Sequence, residues 1–468
     1  MERPLTTGNF GRPRVGLPNA RIVNAYIEQT KGGPAELVRT ARPGLLQTAS
    51  IGTGPILRQY QQPGLFQGAT FSVSGAACFM GTTSLGSVAY SNAPRFAAAN
   101  GYLALVSGGA LYIYDGTRFY PQTTFDDNVS LLPPFSGVVV LDNIFCYAVA
   151  GSNQFFFSSP GDPSTINAAN FSAAQTSSGP IVEGAVLADE LYWFGATVVE
   201  IWDFTGALTA PFAVSQGRTY SKGCAAQNSV CALDNSLFWL GNDLTIYRTS
   251  NVPIRVSTSF IEDRLKKEAD AGKVASVYAF TFSVEGHVFY VINLPTLGES
   301  YAYDCQTSEW GRWGTQTGRQ FDPGLWIPRT AAGWGDTIVL GSNSGGELYA
   351  LDLDNFTDNG TPIQCIVAGA HWMTGGIMRC NNVSIQMVRG VANANVPNPI
   401  AQMRYSDDGG RTFSSWRTES MGQVGGYTFK ATWRALGAMT QPGRLFEFAV
   451  MDAVNFTVES ASMNEARV

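Results

Sequence analysis

Residues 191–203 read LYWFGATVVEIWD, an apolar run, a glycine turn and a second alternating run that ends in Trp and Asp. Strand-forming residues on either side of a short Gly-containing turn are typical of a β-hairpin. Five further stretches repeat the pattern: Leu103–Asp115, Asn143–Phe157, Leu237–Tyr247, His287–Asp304 and Thr337–Asp352. The same local unit therefore recurs along most of the chain.

The spacing of these hairpins identifies the architecture. The second strand of each ends at one of six anchors: Tyr114, Phe157, Trp202, Tyr247, Tyr303 and Leu351. The anchors lie 43, 45, 45, 56 and 48 residues apart, and a period of about 40–50 residues indicates β-propeller blades. We predict about six blades. A shorter hairpin in Phe71–Tyr90 either adds a seventh or closes the ring.

Three regions follow from this pattern. Residues 1–60 contain six prolines and are predicted to form an extended N-terminal arm, with Ala20–Glu28 as one strand. Residues 61–365 form the propeller. Its widest spacing is explained by a helical insertion at 259–271, where Ser259 is the candidate N-cap. Residues 366–468 are predicted to form a C-terminal β-sandwich-like module, with strands at Val383–Val388, Ala401–Tyr405, Thr428–Arg434 and Leu445–Val450.

Composition agrees with an all-β protein. The 468 residues include 51 glycines and 12% aromatics, and only 14% of them are charged, which suits short strands joined by tight turns. The opening residues are polar and no run of about 18 apolar residues occurs, so we expect neither a secretion signal nor insertion into a membrane. The seven cysteines contain no CxxC pair and are expected to be buried thiols in a protein made in a reducing cytosol.

Charge is distributed unevenly. Residues 1–60 carry eight basic and three acidic residues, a charge of +5, which leaves −11 for the remainder of a chain whose net charge is −6. A basic arm on an acidic body predicts that the arm meets an acidic partner, such as a neighbouring copy. Arg12, Arg14 and Arg21 are the candidate assembly contacts, and a solvated arm with a few Arg pairs is the alternative.

Catalytic and cofactor signals are sparse. His287 lies in an apolar strand and His371 lies beside Trp372, so both are interpreted as structural. The chain contains no GxSxG, P-loop, HExxH or EF-hand pattern, and Cys224 and Cys231 have no histidine nearby. Asp189 and Glu190, the best carboxylates for a glycosidase, fall at a predicted turn. We therefore expect a protein that is not an enzyme, with no catalytic residues, metal or cofactor.

One local motif is specific. Residues 406–413 read SDDGGRTF and match the Asp-box pattern, carried by Ser406, Asp408, Gly410, Thr412 and Phe413. Ser and Asp side chains cap such a hairpin, and glycine supplies its positive φ. Asp boxes also occur in sialidases, so the alternative is a carbohydrate-binding or sialidase-like propeller for receptor binding. A kelch-like interaction module is a further alternative.

Both ends of the chain carry a resemblance. Residues 21–45 place Val23, Asn24, Tyr26 and Glu28 before the Arg-Pro-Gly-Leu step at Arg42–Leu45. This stretch resembles the opening of the packaged-DNA stabilisation, or tail hub, proteins of short-tailed bacteriophages. The C-terminal end resembles phage tail proteins at Arg404–Trp416, Met421–Gly422, Trp433–Arg434 and Arg444–Phe448. Met421 replaces a Leu of that pattern, and Ala435 interrupts its Trp-Arg-Arg-Leu-Gly run.

The resemblance implies a structural tail protein located in the virion. It implies a homohexameric ring, or nozzle, below the portal and its adaptor ring, which closes the DNA exit and stabilises the packaged DNA. It also implies that the ring anchors a tail needle, spike or fibre. From the charge we expect double-stranded DNA to pass without sequence recognition, because an acidic or neutral channel repels phosphates.

Overall fold

The structure is a computed structural model that describes residues 2–3, 5–6, 10–12, 17–29, 37–176, 179–207, 210–250, 252–318, 322–334, 337–369, 376–439 and 443–467. Nearly all regular structure in these ranges is β-strand, and the sheets form a propeller followed by a sandwich. The predicted fold class is therefore confirmed. His371 and Arg14 lie outside the described residues.

Seven strands precede the repeating part of the chain: β1 (Glu2–Arg3), β2 (Phe10–Arg12), β3 (Leu17–Ala20), β4 (Ile22–Val23), β5 (Ala25–Gln29), β6 (Leu37–Ala41) and β7 (Gly44–Ser50). β2 and β3 pair only with each other as an antiparallel hairpin. The predicted single strand at Ala20–Glu28 is divided at Asn24, whose φ of 52° is left-handed. Asn tolerates this conformation better than most residues, and the chain changes sheets there.

The first four blades are four-stranded antiparallel sheets. Their strands are β8 (Ile56–Tyr60), β9 (Phe71–Ser74), β10 (Ala77–Met80), β11 (Thr83–Ser87); β12 (Arg95–Ala99), β13 (Tyr102–Ser107), β14 (Ala110–Tyr114), β15 (Phe119–Gln122); β16 (Phe135–Leu141), β17 (Ile144–Val149), β18 (Gln154–Ser159), β19 (Asp162–Ala173); and β20 (Ile181–Leu187), β21 (Glu190–Gly195), β22 (Val199–Phe204), β23 (Phe212–Tyr220). In each blade the first strand is the innermost.

The next blades follow the same order. Blade 5 contains β24 (Cys231–Leu233), β25 (Ser236–Leu240), β26 (Ile246–Arg248) and β27 (Ile254–Arg255), and blade 6 contains β28 (Tyr278–Val284), β29 (His287–Leu294), β30 (Glu299–Asp304) and β31 (Glu309–Trp313). Between them lies helix α1 (Ser259–Asp270), which is capped by Thr258 rather than by Ser259. Short 3-10 turns occupy Phe66–Gly68, Gln227–Ser229 and Val274–Ser276.

Blade 7 closes the ring with a strand from the other end of the chain. It contains β32 (Pro328–Trp334), β33 (Thr337–Ser342) and β34 (Glu347–Asp352), and β7 pairs antiparallel with β34 as its fourth strand. Gly44 is required at this edge because a Cβ there would lie 2.3 Å from the carbonyl oxygen of Asn355. The fixed position of β7 links the first and last blades.

The propeller has seven blades rather than about six. All six sequence anchors lie on the third strand of a blade, from β14 in blade 2 to β34 in blade 7. The missing blade is the first, whose third strand, β10, ends in Met80 without a following Asp. The hairpin in Phe71–Tyr90 thus adds a blade, whereas β7 closes the ring.

The last strands are β35 (Thr357–Asp358), β36 (Thr361–Pro362), β37 (Cys365–Ala368), β38 (Met378–Met387), β39 (Ile400–Ser406), β40 (Arg417–Ser420), β41 (Thr432–Arg434), β42 (Ala438–Met439), β43 (Leu445–Val450) and β44 (Thr457–Arg467). β35 and β36 extend blade 7. The others form two sheets whose facing apolar side chains, including Val383, Trp433 and Phe448, make one core.

The segment predicted to be an extended arm is largely built into these sheets. β5 and β6 join the sandwich sheet through β44, and β4 lies between β31 of blade 6 and β37 of the sandwich. One nine-stranded sheet therefore runs from blade 6 into the sandwich, in the order β28-β29-β30-β31-β4-β37-β43-β39-β40. Local proline content could not reveal these partners, because they lie hundreds of residues away.

Candidate assembly and channel sites

Asn24 and Arg42 form a buried polar junction between propeller and sandwich. Asn24 Oδ1 accepts hydrogen bonds from Arg42 Nε at 3.0 Å and from the backbone N–H of Gly314 at 2.8 Å. Its Nδ2 donates to the carbonyl of Gln364 at 2.9 Å. One side chain in a left-handed turn thus ties together the N-terminal segment, the end of blade 6 and the approach to β37.

Arg42 completes this junction through Asp358 of β35. Two of its nitrogens donate to the Asp358 carboxylate at 2.8 and 2.6 Å, and the two side chains are 0% and 2% exposed. Thr315 also donates to Asp358, at 2.8 Å, and the Arg42 guanidinium lies 5.0 Å from the ring centroid of Trp326. Because a buried charge must be paired and hydrogen-bonded, this pair fixes the position of β7 and β35.

His287 lies between two carboxylates in a second polar cluster. Its Nδ1 is 2.9 Å from Asp304 Oδ2 and its Nε2 is 2.7 Å from Glu28 Oε2. Burial lowers the pKa of His287, but hydrogen bonds to Asp304 and Glu28 outweigh it and the net pKa is raised. The Tyr26 ring meets the imidazole edge-on at 4.9 Å. The cluster joins β5 to blade 6.

Arg21 forms an ion pair within its own chain. Its guanidinium donates to Glu447 at 2.8 Å, and Arg404 donates to the same buried carboxylate at 2.7 Å. Arg12 ends β2, and its side chain lies outside what the structure describes. A contact between Arg12, Arg14 or Arg21 and another subunit stays a prediction.

The Asp box forms a hairpin cap. Asp408 accepts hydrogen bonds from Thr412 Oγ1 at 2.7 Å and from the backbone N–H groups of Thr412 and Arg411 at 2.9 and 3.0 Å. These bonds, led by the Thr412 side chain, hold the pKa of Asp408 well below its ordinary value. Ser406 Oγ accepts from Gly410 N at 2.8 Å, and Phe413 covers the Arg404 guanidinium at 4.0 Å.

Beside the box lies a pair that sequence reasoning missed. Asp407 accepts two hydrogen bonds from the buried Arg444, at 2.6 and 2.8 Å. Arg444 also donates to the carbonyl of Leu436 at 2.7 Å and lies 3.9 Å from the Tyr405 ring centroid. The signal was present, since both residues fall in the two C-terminal stretches that resemble tail proteins, but nothing local pairs them.

An ion pair crosses the central channel of the propeller. Arg95 of blade 2 donates to Glu183 of blade 4 at 2.6 Å, and both residues are buried. Asn228 accepts from Arg95 at 3.1 Å and donates to the carbonyl of Asn92 at 3.0 Å. Arg329 of blade 7 donates to the same carbonyl at 3.2 Å. Side chains and one loop therefore obstruct part of the channel.

The remainder of the channel is a cavity of about 760 Å³. The innermost strands of blades 1, 5, 6 and 7, which are β8, β24, β28 and β32, line it. Among the described residues Arg58 is the one charged side chain in this lining.

The carboxylates and cysteines considered in the sequence do not come together in one site among the described residues. Glu190 accepts hydrogen bonds from Arg218 and Tyr192, and the Arg218 side chain is the main cause of its lowered pKa. Asp189 lies in the turn just before it. All seven cysteines are free thiols, and six of them are buried.

The described residues contain neither a cluster suited to a metal ion nor a helix suited to crossing a membrane. They contain no cluster of three or more His, Cys, Asp or Glu that could hold a metal ion. In the same part of the chain no helix has the length and apolar character needed to cross a membrane.

Comparison with protein families gives two matches. A family model described as "Bacteriophage P22 Gp10, beta-propeller" matches residues 44–355, and another described as "Bacteriophage P22 Gp10, beta-sandwich" matches residues 367–466. The first match begins at Gly44, the first residue of the closing strand β7. No curated protein matches the chain.

Solved structures give distant similarities only. The computationally designed Ika8 protein is 14% identical, with 71% of this chain and 99% of its own covered and a TM-score of 0.38. YCF48 from Cyanidioschyzon merolae is 10% identical, with 67% and 99% covered and a TM-score of 0.40. Hsv2 of Kluyveromyces lactis is 8% identical, with 69% and 95% covered and a TM-score of 0.35.

Proposed function

Since this chain belongs to the bacteriophage P22 Gp10 family of structural tail proteins that stabilise packaged DNA, we propose that copies of it form a closed ring at the tail of a short-tailed phage. The ring is six-fold and lies below the portal and its adaptor. It closes the DNA exit channel, holds the packaged DNA in, and anchors a needle, spike or fibre. The protein acts mechanically, without catalysis.

The nine-stranded sheet is the observation that carries this proposal. Backbone hydrogen bonds run without interruption from blade 6 through β4 into the sandwich. A ring that retains DNA under pressure must transmit force between the module that meets the adaptor and the module that meets the distal tail. A continuous sheet transmits it through backbone hydrogen bonds and packed strands rather than through a flexible linker.

The obstructed propeller channel supports a conduit built from several copies. Arg95 and Glu183 form an ion pair in the channel. Beside them the Asn92 carbonyl accepts hydrogen bonds from Asn228 and Arg329. A duplex therefore has no path through one propeller, and a DNA conduit requires a ring of subunits around a shared axis. The net charge of −6 favours passage of DNA without sequence recognition.

Electron microscopy tests the proposal directly. DNA-filled heads that lack this protein but carry the portal and adaptor are mixed with the purified chain, and DNA release is followed in parallel. We expect a six-fold ring at the portal vertex together with reduced DNA loss. Heads whose vertices stay bare and continue to leak DNA would refute the ring and the stabilising role together.

A further inference from the structure

The guanidinium of Arg58 lines the propeller cavity and, among the described residues, has no ion-pair or hydrogen-bond partner. It lies on β8, lines the channel cavity and is only partly exposed to it. Burial, followed by the nearby charge of Arg95, lowers the pKa of Arg58 to about 10. Among the described residues no carboxylate or carbonyl lies within hydrogen-bonding distance of its guanidinium.

The other buried arginines differ in this respect. Arg42 and Arg444 each have a bidentate carboxylate, at Asp358 and Asp407. Arg39 has no carboxylate, but it donates to the backbone carbonyls of Leu5, Thr6 and Leu37 at 2.8 to 3.2 Å. Buried charges are ordinarily satisfied in one of these two ways, so Arg58 stands out within the same chain.

The carboxylate whose charge acts on Arg58, that of Glu183, is already engaged. Glu183 Oε2 accepts from Arg95 at 2.6 Å, and Glu183 Oε1 accepts from the backbone N–H of Gly184 at 3.2 Å. Glu183 is therefore committed to the pair that crosses the channel. The sum of Arg58, Arg95 and Glu183 leaves one positive charge in this region.

A second unused donor lines the same cavity. Gln59 is 5% exposed, and its Nε2 has no hydrogen-bond partner. Its other amide atom, Oε1, accepts from Thr330 Oγ1 at 2.7 Å, which fixes the amide plane. The Nε2 nitrogen has no surface open to the cavity, so of the two donors only Arg58 can meet a group bound there.

We propose that the propeller cavity binds a small oxyanion, of which inorganic phosphate is the simplest, with the Arg58 guanidinium supplying both the charge and the hydrogen bonds. The guanidinium fork is suited to such groups. The cavity volume of about 760 Å³ falls within the range of small-molecule sites, so organic phosphates and polycarboxylates also fit by size. The bound anion compensates the charge of Arg58 within the space enclosed by the innermost strands of four blades. This inference does not depend on the proposed tail function.

Calorimetric titration of the purified full chain with phosphate tests it, with citrate as a second oxyanion and chloride at matched ionic strength as reference. We expect saturable binding that Arg58→Met weakens about tenfold or more, because a charged hydrogen-bonding partner is lost. Arg118→Met is the matched control, since Arg118 is 78% exposed and lies in another blade. It is expected to leave binding unchanged.

Thermal unfolding provides an independent readout. In anion-free buffer, Arg58→Met is expected to be at least as stable as the parent, because it removes an uncompensated charge; phosphate should raise the midpoint of the parent but not of the variant. Arg58→Lys is the second variant, with weaker phosphate binding expected because the two-pronged guanidinium is lost, should Arg58→Met not fold. Absence of saturable binding, or equal binding by the parent and both Arg58 variants, would overturn the proposal.

Discussion

Arg42 donates two hydrogen bonds, of 2.8 and 2.6 Å, to the carboxylate of Asp358, a residue 316 positions further along the chain. The pair joins the segment that precedes the closing strand to the segment that follows blade 7. Three residues of the Arg-Pro-Gly-Leu step at Arg42–Leu45 have a clear structural role. Arg42 holds the junction, Gly44 permits close approach to Asn355, and Leu45 is fully buried.

Removing one partner of this pair should be severe. Arg42→Met leaves the Asp358 carboxylate buried and unpaired, so we expect the free energy of unfolding to fall by about 3–5 kcal/mol. Urea denaturation measures it. The exposed Arg118–Asp115 pair gives the control, where Arg118→Met should cost less than about 1 kcal/mol. The double variant Arg42→Met with Asp358→Leu should recover part of the loss, and a double variant less stable than Arg42→Met would contradict this account.

His287 makes stability depend on pH. Its folded-state pKa is raised, because the bonds to Asp304 and Glu28 outweigh the effect of burial. The stabilisation is therefore complete below the unfolded-state pKa of about 6.5 and is lost as pH rises through the folded-state pKa. Thermal unfolding across this range should show the parent losing stability with rising pH more steeply than His287→Gln. Parallel curves for the two proteins would exclude the cluster as the cause.

The closing strand has a steric requirement at Gly44. A methyl group in Gly44→Ala would meet the carbonyl oxygens of Asn355 and Thr357 at 2.3 and 2.6 Å, and we expect a loss of about 1–3 kcal/mol, as for other overpacked sites. Limited proteolysis should then release the N-terminal segment earlier. Gly179→Ala is the control, since a Cβ at Gly179 has nothing within 4 Å. Equal stability of the two variants would show that β7 can shift to accommodate the methyl group without lowering the free energy of unfolding.

The arginine contacts can be separated experimentally. Replacing Arg12, Arg14 and Arg21 together by Ala is expected to weaken incorporation into particles while the monomer stays folded. Because Arg21 also pairs with Glu447 inside the chain, the double variant Arg12→Ala with Arg14→Ala tests docking alone, and Arg21→Ala tests the internal pair. Particle incorporation by electron microscopy and folding by circular dichroism are the readouts. Full incorporation of the double variant would remove these two residues from the interface.

Local signals in the sequence were sufficient for the repeating unit. All six anchors occupy the third strand of a blade, and the Asp-box residues cap a hairpin as their types and spacing predict. Turn chemistry and alternation act over a few residues, so a single sequence displays them. Blade 1 was left open because its third strand ends in Met80 rather than in an aromatic residue or Leu.

Long-range partners could not be predicted in the same way. Proline and glycine in residues 1–60 indicated an extended arm, but extended chain is also what a strand of a distant sheet requires. Nothing in Asn24 or Arg42 by itself names Gly314, Gln364 or Asp358 as its partner. Likewise, the channel pair of Arg95 and Glu183 joins blades 2 and 4 past Gly137 of blade 3, and only the assembled ring places these blades side by side.

Ring closure by β7 determines when the propeller can finish folding during translation. β7 emerges early from the ribosome, but its partner β34 follows about 300 residues later, which at about 5–20 residues per second corresponds to about 15–60 s of translation. β5 and β6 wait still longer, because they reach the sandwich sheet through β44. A nascent chain cut short before β34 cannot close its propeller, so only a nearly finished polypeptide hides its apolar strands from chaperones and proteases.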